Sequence, residues 1–540
     1  MEKVSAKELI GKGYFPKEIP EIFSTDKLSK IMNQIDFTIF NKHDNKKWSK
    51  TLNISIPKLA HARRILNVPT PFHQIKLSEY IESEAANLND FFKQSKFSLT
   101  TPVIKENSKR AVDRKYDFSE IVTRRIYGTS DKKYVLKTDL SRYFPTIYTH
   151  SIPWALHTKS TAKLNIKDKD LTGNKIDELI RNMQDGQTFG LPVGPDTSLI
   201  ISEIIGTAID IQLQELYPDL EGGRYTDDFE FYFKTFSDAE KVLNSLQKIV
   251  RDFELDLNPS KTEIITCPDM LEPIWLSNLK LYHFRNNSQN SQKNDIVTFF
   301  SRAFEFQKKF PFQGVLKYSL QKIKNVKILP DNWSILESLL LHSMLIDSST
   351  ISIIQDIFYG YKEKGYTINK EKIQSTIGEI INSNISIGNH YEVIWALSMS
   401  TKLKLTINED IGKLLFNFED SFSNILTMES YINGNIKGNH DLDYYQSLLN
   451  DNELYGRNWL FAYEMGIKDW LKPKENMNYI KEDKFYNQLV ENNVEFYNLI
   501  DEQIEDIDDD WLTAILAEED FFNSTNPSEG EGYFLGLKDY

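Results

Sequence analysis

A single cysteine, Cys267, stands among the 540 residues, so the chain can build neither an internal disulfide framework nor a cysteine-rich zinc site. Long apolar runs are absent too, none reaching the ~18 residues that a membrane-spanning helix requires. The amino terminus, Met1-Glu2-Lys3-Val4-Ser5-Ala6, is charged and lacks the apolar centre of a signal peptide. These absences lead us to expect a soluble cytoplasmic protein with no membrane partner. A net positive charge, the usual mark of a protein that holds a polyanion, is also missing, since the total is −14. The deficit is uneven. Residues 1–138 hold 26 Lys and Arg against 16 Asp and Glu, and residues 291–540 hold 23 against 39, a balance of +10 in front and −16 behind. Polyanion binding is therefore expected in the front part, while the acidic part reads as solubilising surface. Its extreme is residues 501–520, with ten acids and no base.

What the chain does have is hydrophobic content of 40%, enough for sizeable cores, and one unusual stretch. Arg224-Tyr225-Thr226-Asp227-Asp228-Phe229-Glu230-Phe231-Tyr232-Phe233 sets two adjacent carboxylates in an aromatic run. Phe229, Phe231 and Phe233 alternate with Glu230 and Tyr232, which predicts a half-buried strand. Gly222 and Gly223 just ahead predict the turn of a hairpin, with the acids near its tip. Alone, such a pair reads as a solvated tip. Two like charges ~4 Å apart repel by about 4 kcal/mol at an effective dielectric near 20, so a partly buried pair calls for a divalent cation.

Taken in order, the chain begins with Gly13-Tyr14-Phe15-Pro16-Lys17-Glu18-Ile19-Pro20, whose prolines break a helix and whose aromatics need a surface, so residues 1–50 are expected to form an arm. Arg63 and Arg64 are paired bases beside an extended segment, which suits either phosphate contact or plain surface. A helix is expected from about Phe72 to Phe92. Lys133 to Leu140 reads as a strand with Val135, Lys137 and Asp139 on one face. Thr188 to Ser198 is a Gly/Pro loop whose Asp196 and Thr197 are expected to cap a buried helix from about Ser198 to Leu216. A further helix is expected from about Asp238 to Phe253, followed by a segment ending in Lys261 and Thr262. From about residue 291, short helical segments follow one another between polar turns, which predicts a helical array. Trp459, Phe461, Tyr463 and Trp470 read as its core, a base-stacking platform being the alternative.

Asp139 with Phe144 five residues on, the Gly190-Leu191-Pro192-x-Gly194 loop, Tyr225-Thr226-Asp227-Asp228 and Lys261 occur in the order of the palm motifs of reverse transcriptases, and that family is what the chain resembles. The arm Gly13-Tyr14-Phe15-Pro16-Lys17 and the run Tyr148-Thr149-His150-Ser151-Ile152-Pro153-Trp154 resemble more closely the bacterial abortive-infection reverse transcriptases of the AbiK and AbiA type. The resemblance implies an α+β architecture: reverse-transcriptase-like fingers and palm over 51–285, then an all-α HEAT-like repeat domain over 286–540. It further implies a bacterial, cytoplasmic phage-defence polymerase that joins dNTPs without a supplied template. Synthesis would be primed by a protein hydroxyl, so that the single-stranded DNA product stays covalently attached, within a homo-oligomer that answers a phage trigger.

Nucleotidyl transfer uses cations to acidify the attacking hydroxyl and hold the triphosphate, bridged by carboxylates from neighbouring strands. Asp139 and Asp227 are the expected ligands of Mg²⁺ or Mn²⁺, with Asp228 a weaker ligand or electrostatic support. Lys261 resembles the lysine that protonates or screens the leaving pyrophosphate. Phe144 stands at the position that resembles the gate against a sugar 2′-hydroxyl, core packing being the alternative. Arg63, Arg64 and Lys137 are candidates for triphosphate or backbone contact, and Gly190, Pro192, Gly194 and Tyr225 for the nucleotide-binding surface. Where many of these enzymes carry glutamine, this loop has Val193, which cannot hydrogen-bond to a base. Two alternatives stay open: a templated defence enzyme copying an associated non-coding RNA, and an inactive palm serving as a binding scaffold.

Overall fold

Four strands close on each other around the predicted carboxylates. In the computed structural model, which describes residues 4–40, 48–58, 62–106, 108–268, 272–311 and 313–499, eight strands occur. They are β1 (Leu52–Pro57), β2 (Arg63–Val68), β3 (Pro102–Val103), β4 (Asp113–Arg114), β5 (Tyr134–Asp139), β6 (Glu221–Tyr225), β7 (Asp228–Phe233) and β8 (Glu263–Thr266). β1 pairs with β2 and β3 with β4, while the central sheet has the antiparallel order β6-β7-β5-β8. The remaining elements are helical, and among the described residues from Ile274 to Glu491 helices follow without an intervening strand. The architecture is thus mixed α and β with small antiparallel sheets and a helical carboxy-terminal region.

Several expectations need correction. Gly222 and Gly223 do not form the turn; they lie within β6, where a Cβ on Gly222 would meet the Glu230 carbonyl and one on Gly223 the Leu99 side chain. Close strand packing explains these glycines, and the turn itself is Thr226-Asp227. β7 is buried on both faces rather than one, because Glu230 is held by Arg125 through two bonds of 2.7 and 2.6 Å. The helix expected over 72–92 breaks at Glu84 into Pro71–Ser83 and Ala85–Phe92. The helix Asp196–Leu216 has no side-chain cap. Asp196 is buried and accepts instead from Arg110 and from the backbone N–H groups of Ala111 and Val112. The acidic stretch 501–520 lies outside the described residues.

The amino-terminal segment is tied into the helical region. Phe15 packs on Phe422, Trp459 and Phe496, and Phe23 lies edge-on to Phe422 at 4.7 Å. Ser24 N–H donates to the Phe496 carbonyl and Asn498 N–H to that of Ile22, so residues 22–24 and 496–498 run as a short antiparallel pair. The β1–β2 hairpin is clamped to the same region: the Arg63 guanidinium forks onto the buried Glu392 at 2.5 and 2.8 Å, and His390 Nδ1 lies 3.1 Å from Ser55 N. Trp459, Phe461 and Tyr463 are wholly buried, as expected of core, and Trp470 is partly covered, its ring lying against Tyr497.

Glu464 lies in this junction. Burial, with Glu495 adding to it and Lys468 opposing it, pushes its carboxyl up to about 7 from the usual 4.5, and its Oε1 accepts from Phe496 N at 2.6 Å. Between those two values the unfolded chain releases a proton that the folded chain keeps, so stability falls as pH rises through that window. In chemical denaturation, Glu464→Gln is expected to flatten that fall; a slope between pH 4.5 and 7 identical to the parent's would refute the assignment.

Candidate active site

The sheet brings the first predicted acid to the other two. Antiparallel register places Asp139, the last residue of β5, opposite Asp228, the first of β7, and Leu140 N–H donates to the Asp227 carbonyl at 3.1 Å. Directly paired residues share a face, so Asp139 and Asp228 lie on the side that also carries Lys137 and Glu230. The segment 256–262 then runs beside the end of β5. Ser141 N–H donates to Asp256 O and Asn258 N–H to Asp139 O, both at 2.8 Å. That path carries Lys261 over the acids, its Nζ 2.7 Å from Asp139 Oδ2.

A fully buried arginine fixes the turn. Arg224 donates to Glu203 at 2.7 and 3.1 Å, to Asp210 at 2.8 to 3.0 Å, and to the Thr226 carbonyl at 2.8 Å. Thr226 takes a left-handed conformation, with φ 56°, and its N–H donates to Thr100 Oγ1. Gly206 makes room for this, because a Cβ there would sit 2.4 Å from the guanidinium. The sequence gives little hint of the network. Its one visible signal is that Glu203 and Asp210, seven residues apart, lie two turns along one face in the largely apolar middle of the helix Asp196–Leu216.

Asp139, Asp227 and Asp228 are all buried, and each keeps one oxygen, Oδ1, without a hydrogen-bond partner. Their charge is under-compensated. Burial and the neighbouring Asp139 push Asp227 up to about 7, with Lys261 and Arg64 opposing. Burial and Asp227 drive Asp228 well above the usual carboxylate range. Burial also raises Asp139, against Lys261, Asn258 and Lys58. Among the described residues no group of three potential ligands stands as a ready-made coordination shell. The three orphaned carboxylate oxygens are nevertheless donors of the kind that a divalent cation takes alongside water and substrate phosphates.

The other predicted residues divide. Arg64 stands close enough to Asp227 to favour its ionised form, whereas Arg63 is committed to Glu392. Lys137 is buried further into the sheet, opposite Glu230 and Glu263. Phe144 is only 4% exposed and packs on Tyr143; its carbonyl accepts from Leu191 N, which seats the Gly190-Leu191-Pro192 loop beside it. Gly190 and Gly194 take positive φ, 86° and 131°, that other residues rarely adopt. Tyr225 is covered by Arg114, whose guanidinium lies 4.7 Å from the ring and donates to its hydroxyl. Lys58 was missed: at the end of β1, its ammonium interacts with Asp227 and Asp139 and is lowered by burial and by Arg64 and Lys261. The β1–β2 register, which folds Lys58 back beside Arg63 and Arg64, is the signal that could have revealed it.

An antiparallel sheet that gathers carboxylates from a strand end and a hairpin turn, with lysines facing them, has the parts that metal-assisted phosphoryl transfer requires. Residues 86–315 match the family described as reverse transcriptase (RNA-dependent DNA polymerase), and the chain is a nucleotidyltransferase of reverse-transcriptase type. No curated protein matches the chain. Among the solved structures that match is apo telomerase from Candida Tropicalis, at 13% identity and a TM-score of 0.33, with 72% of this chain and 74% of that one covered. No helix among the described residues is long and apolar enough to cross a membrane.

Proposed function

We propose that the chain polymerises dNTPs into DNA at Asp139, Asp227 and Asp228, and that it does so as a phage-defence enzyme whose own hydroxyl primes synthesis without a supplied template. The observation that carries the chemistry is the trio of buried Oδ1 atoms without partners beside Lys261. A divalent cation bound there, Mg²⁺ or Mn²⁺, supplies the Lewis acidity that the transfer needs. Lys261 keeps a proton 2.7 Å from Asp139, raised against its burial by that carboxylate, and is placed to pass it to the departing pyrophosphate or to screen it. Arg64 and Lys58 balance the triphosphate, and Phe144 with the Gly190–Gly194 loop shapes the sugar side of the nucleotide site. Under this reading the chain divides into an arm over 1–50, fingers and palm over 51–285 and a HEAT-like region over 286–540, and acts as an oligomer in the bacterial cytoplasm.

Val193 supports untemplated synthesis. It is buried, its N–H donates to Asn67 Oδ1 and its carbonyl accepts from Asn67 N, so no polar side chain from this position reaches a nascent base pair. The description of the matched family as RNA-dependent favours the second reading, copying of an associated non-coding RNA. Purified protein given single dNTPs and Mg²⁺ is expected to yield polymer that shifts in size on protease treatment. Absence of polymer would refute the polymerase; polymer free of protein would refute self-priming; and a product complementary to a co-purified RNA would establish the templated reading.

A further inference from the structure

Two neighbouring arginines of β2 serve opposite sides of the β1–β2 hairpin. Successive side chains of a strand point to opposite faces, so Arg63, turned onto Glu392 of the helical region, leaves Arg64 on the side of the acids. Arg64 acts there on Asp227, and Lys58, just past the end of β1, interacts with both Asp227 and Asp139. From this arrangement we propose that Glu392, in the helix His390–Leu403, is a positioning residue for nucleotide binding: it holds the hairpin where Lys58 and Arg64 meet a triphosphate on the carboxylates. The inference rests on the reading of Asp139 and Asp227 as the reacting centre, and it gives the helical region a part in the reaction.

The hydrogen bonds show how firmly that hold is built. The Arg63 guanidinium donates across the hairpin, from Nε to Ser55 Oγ at 2.9 Å and from Nη2 to the Ser55 carbonyl at 2.8 Å, besides its fork onto Glu392 at 2.5 and 2.8 Å. The Glu392 carboxylate is fixed in turn. Its side chain is 1% exposed, and Oε1 also accepts from Ser348 Oγ at 2.9 Å. One turn of the same helix thus grips both strands, because Ser55 N–H donates to His390 Nδ1 at 3.1 Å. At the base of the hairpin, Asn67 N–H donates to the Val193 carbonyl at 2.7 Å and Val193 N–H to Asn67 Oδ1, which ties β2 to the glycine loop. The anchor on Arg63 lies at the outer end, where Pro57 opposes Arg63 and Lys58 follows. A buried ion pair adds little net stability over an apolar contact of the same volume, but its fork fixes distance and orientation. A bound triphosphate senses that placement, since attraction between charges falls with separation.

The test uses the full chain, Mg²⁺ and a dTTP analogue with a methylene between its α and β phosphorus atoms, so that calorimetry reads binding without transfer. Glu392→Gln is expected to weaken analogue binding several-fold. In steady-state assays with dTTP it is expected to raise KM and leave kcat nearly unchanged, the pattern of a contact made alike in ground and transition states. In a Lys58→Gln, Arg64→Gln background the same substitution is expected to have little further effect, because the groups it places are gone. Hydrogen exchange checks the fold: it is expected to quicken over residues 52–68 and to stay unchanged over β5 and β7. If Glu392→Gln alone does not fold, the double variant Arg63→Gln, Glu392→Gln removes both charges together and carries the test. Lys413→Gln, which breaks an exposed pair with Glu409, is expected to change nothing. Equal weakening by Glu392→Gln in both backgrounds, or unchanged exchange over 52–68, overturns the proposal. A parent that does not bind the analogue overturns the underlying reading and the inference with it, whereas normal binding by parent and variants alike overturns the inference alone.

Discussion

Asp227→Asn is expected to abolish nucleotide incorporation, by at least ~10²–10³-fold, the scale on which single charged or polar groups at a reacting centre act. The same substitution is expected to raise the melting temperature of the metal-free protein. Both effects have one origin. Asp227 is buried beside Asp139, its Oδ1 has no partner, and its carboxyl is pushed up to about 7 by burial and by Asp139. At neutral pH the folded protein therefore holds an ionisable group that prefers water, and an amide in its place removes that penalty while keeping the shape. Each kcal/mol so recovered is worth about 2–4 °C in a domain of 150–250 residues. Asp228→Asn should raise stability in the same way, since burial and Asp227 drive that carboxyl up as well. Calorimetric scans in EDTA with parallel dNTP assays decide the matter. Full activity in Asp227→Asn would remove Asp227 from the site, and an unchanged or lower melting temperature would show that the carboxylates are not mutually strained.

The parts of this site that could be read in the sequence are those set by local periodicity. Period two in Lys133 to Leu140 gives Asp139 the face it takes on β5, and the alternating phenylalanines give β7. The partner of each strand was not legible, and with it went the residues that approach from elsewhere. Lys58 comes to the acids through a hairpin closed with β2, and Arg114 reaches Tyr225 from β4, more than a hundred residues upstream. Arg224 reads as an ordinary base in an aromatic run, yet it is fully buried because a helix supplies two acids for it. In the carboxy-terminal region many helical segments were legible, the engulfed Tyr391 to Met399 among them, but Ser421–Ile432 was not. Ser421–Ile432 is buried at every residue from 421 to 430, so its apolar and polar side chains show no solvent-facing stripe for a period of 3.6 to reveal. The glycines at 222 and 223 misled for the opposite reason: a local turn signal stood in for a long-range demand for close strand contact.

The buried arginine leads to the second large effect. Arg224→Met is expected to cost about 3–5 kcal/mol of folding free energy, because it strands two carboxylates where no water reaches them. Glu203 and Asp210 are both buried, and burial already raises Asp210 against the opposition of Arg224. Loss of stability alone would not tie the network to the site. The triple variant Arg224→Met, Glu203→Gln, Asp210→Asn separates the two roles, since it removes all three charges and is expected to recover most of the lost stability. It does not restore the donor to the Thr226 carbonyl, so the left-handed turn that presents Asp227 stays unsupported and incorporation is expected to remain low. Denaturation midpoints and dNTP incorporation, measured on the same preparations, distinguish the outcomes. If Arg224→Met lies within about 1 kcal/mol of the parent, a typical hydrogen-bond difference, the ion network is not what holds this corner. If the triple variant regains both stability and activity, the turn does not depend on Arg224, and the three carboxylates are placed by the β5–β7 register alone.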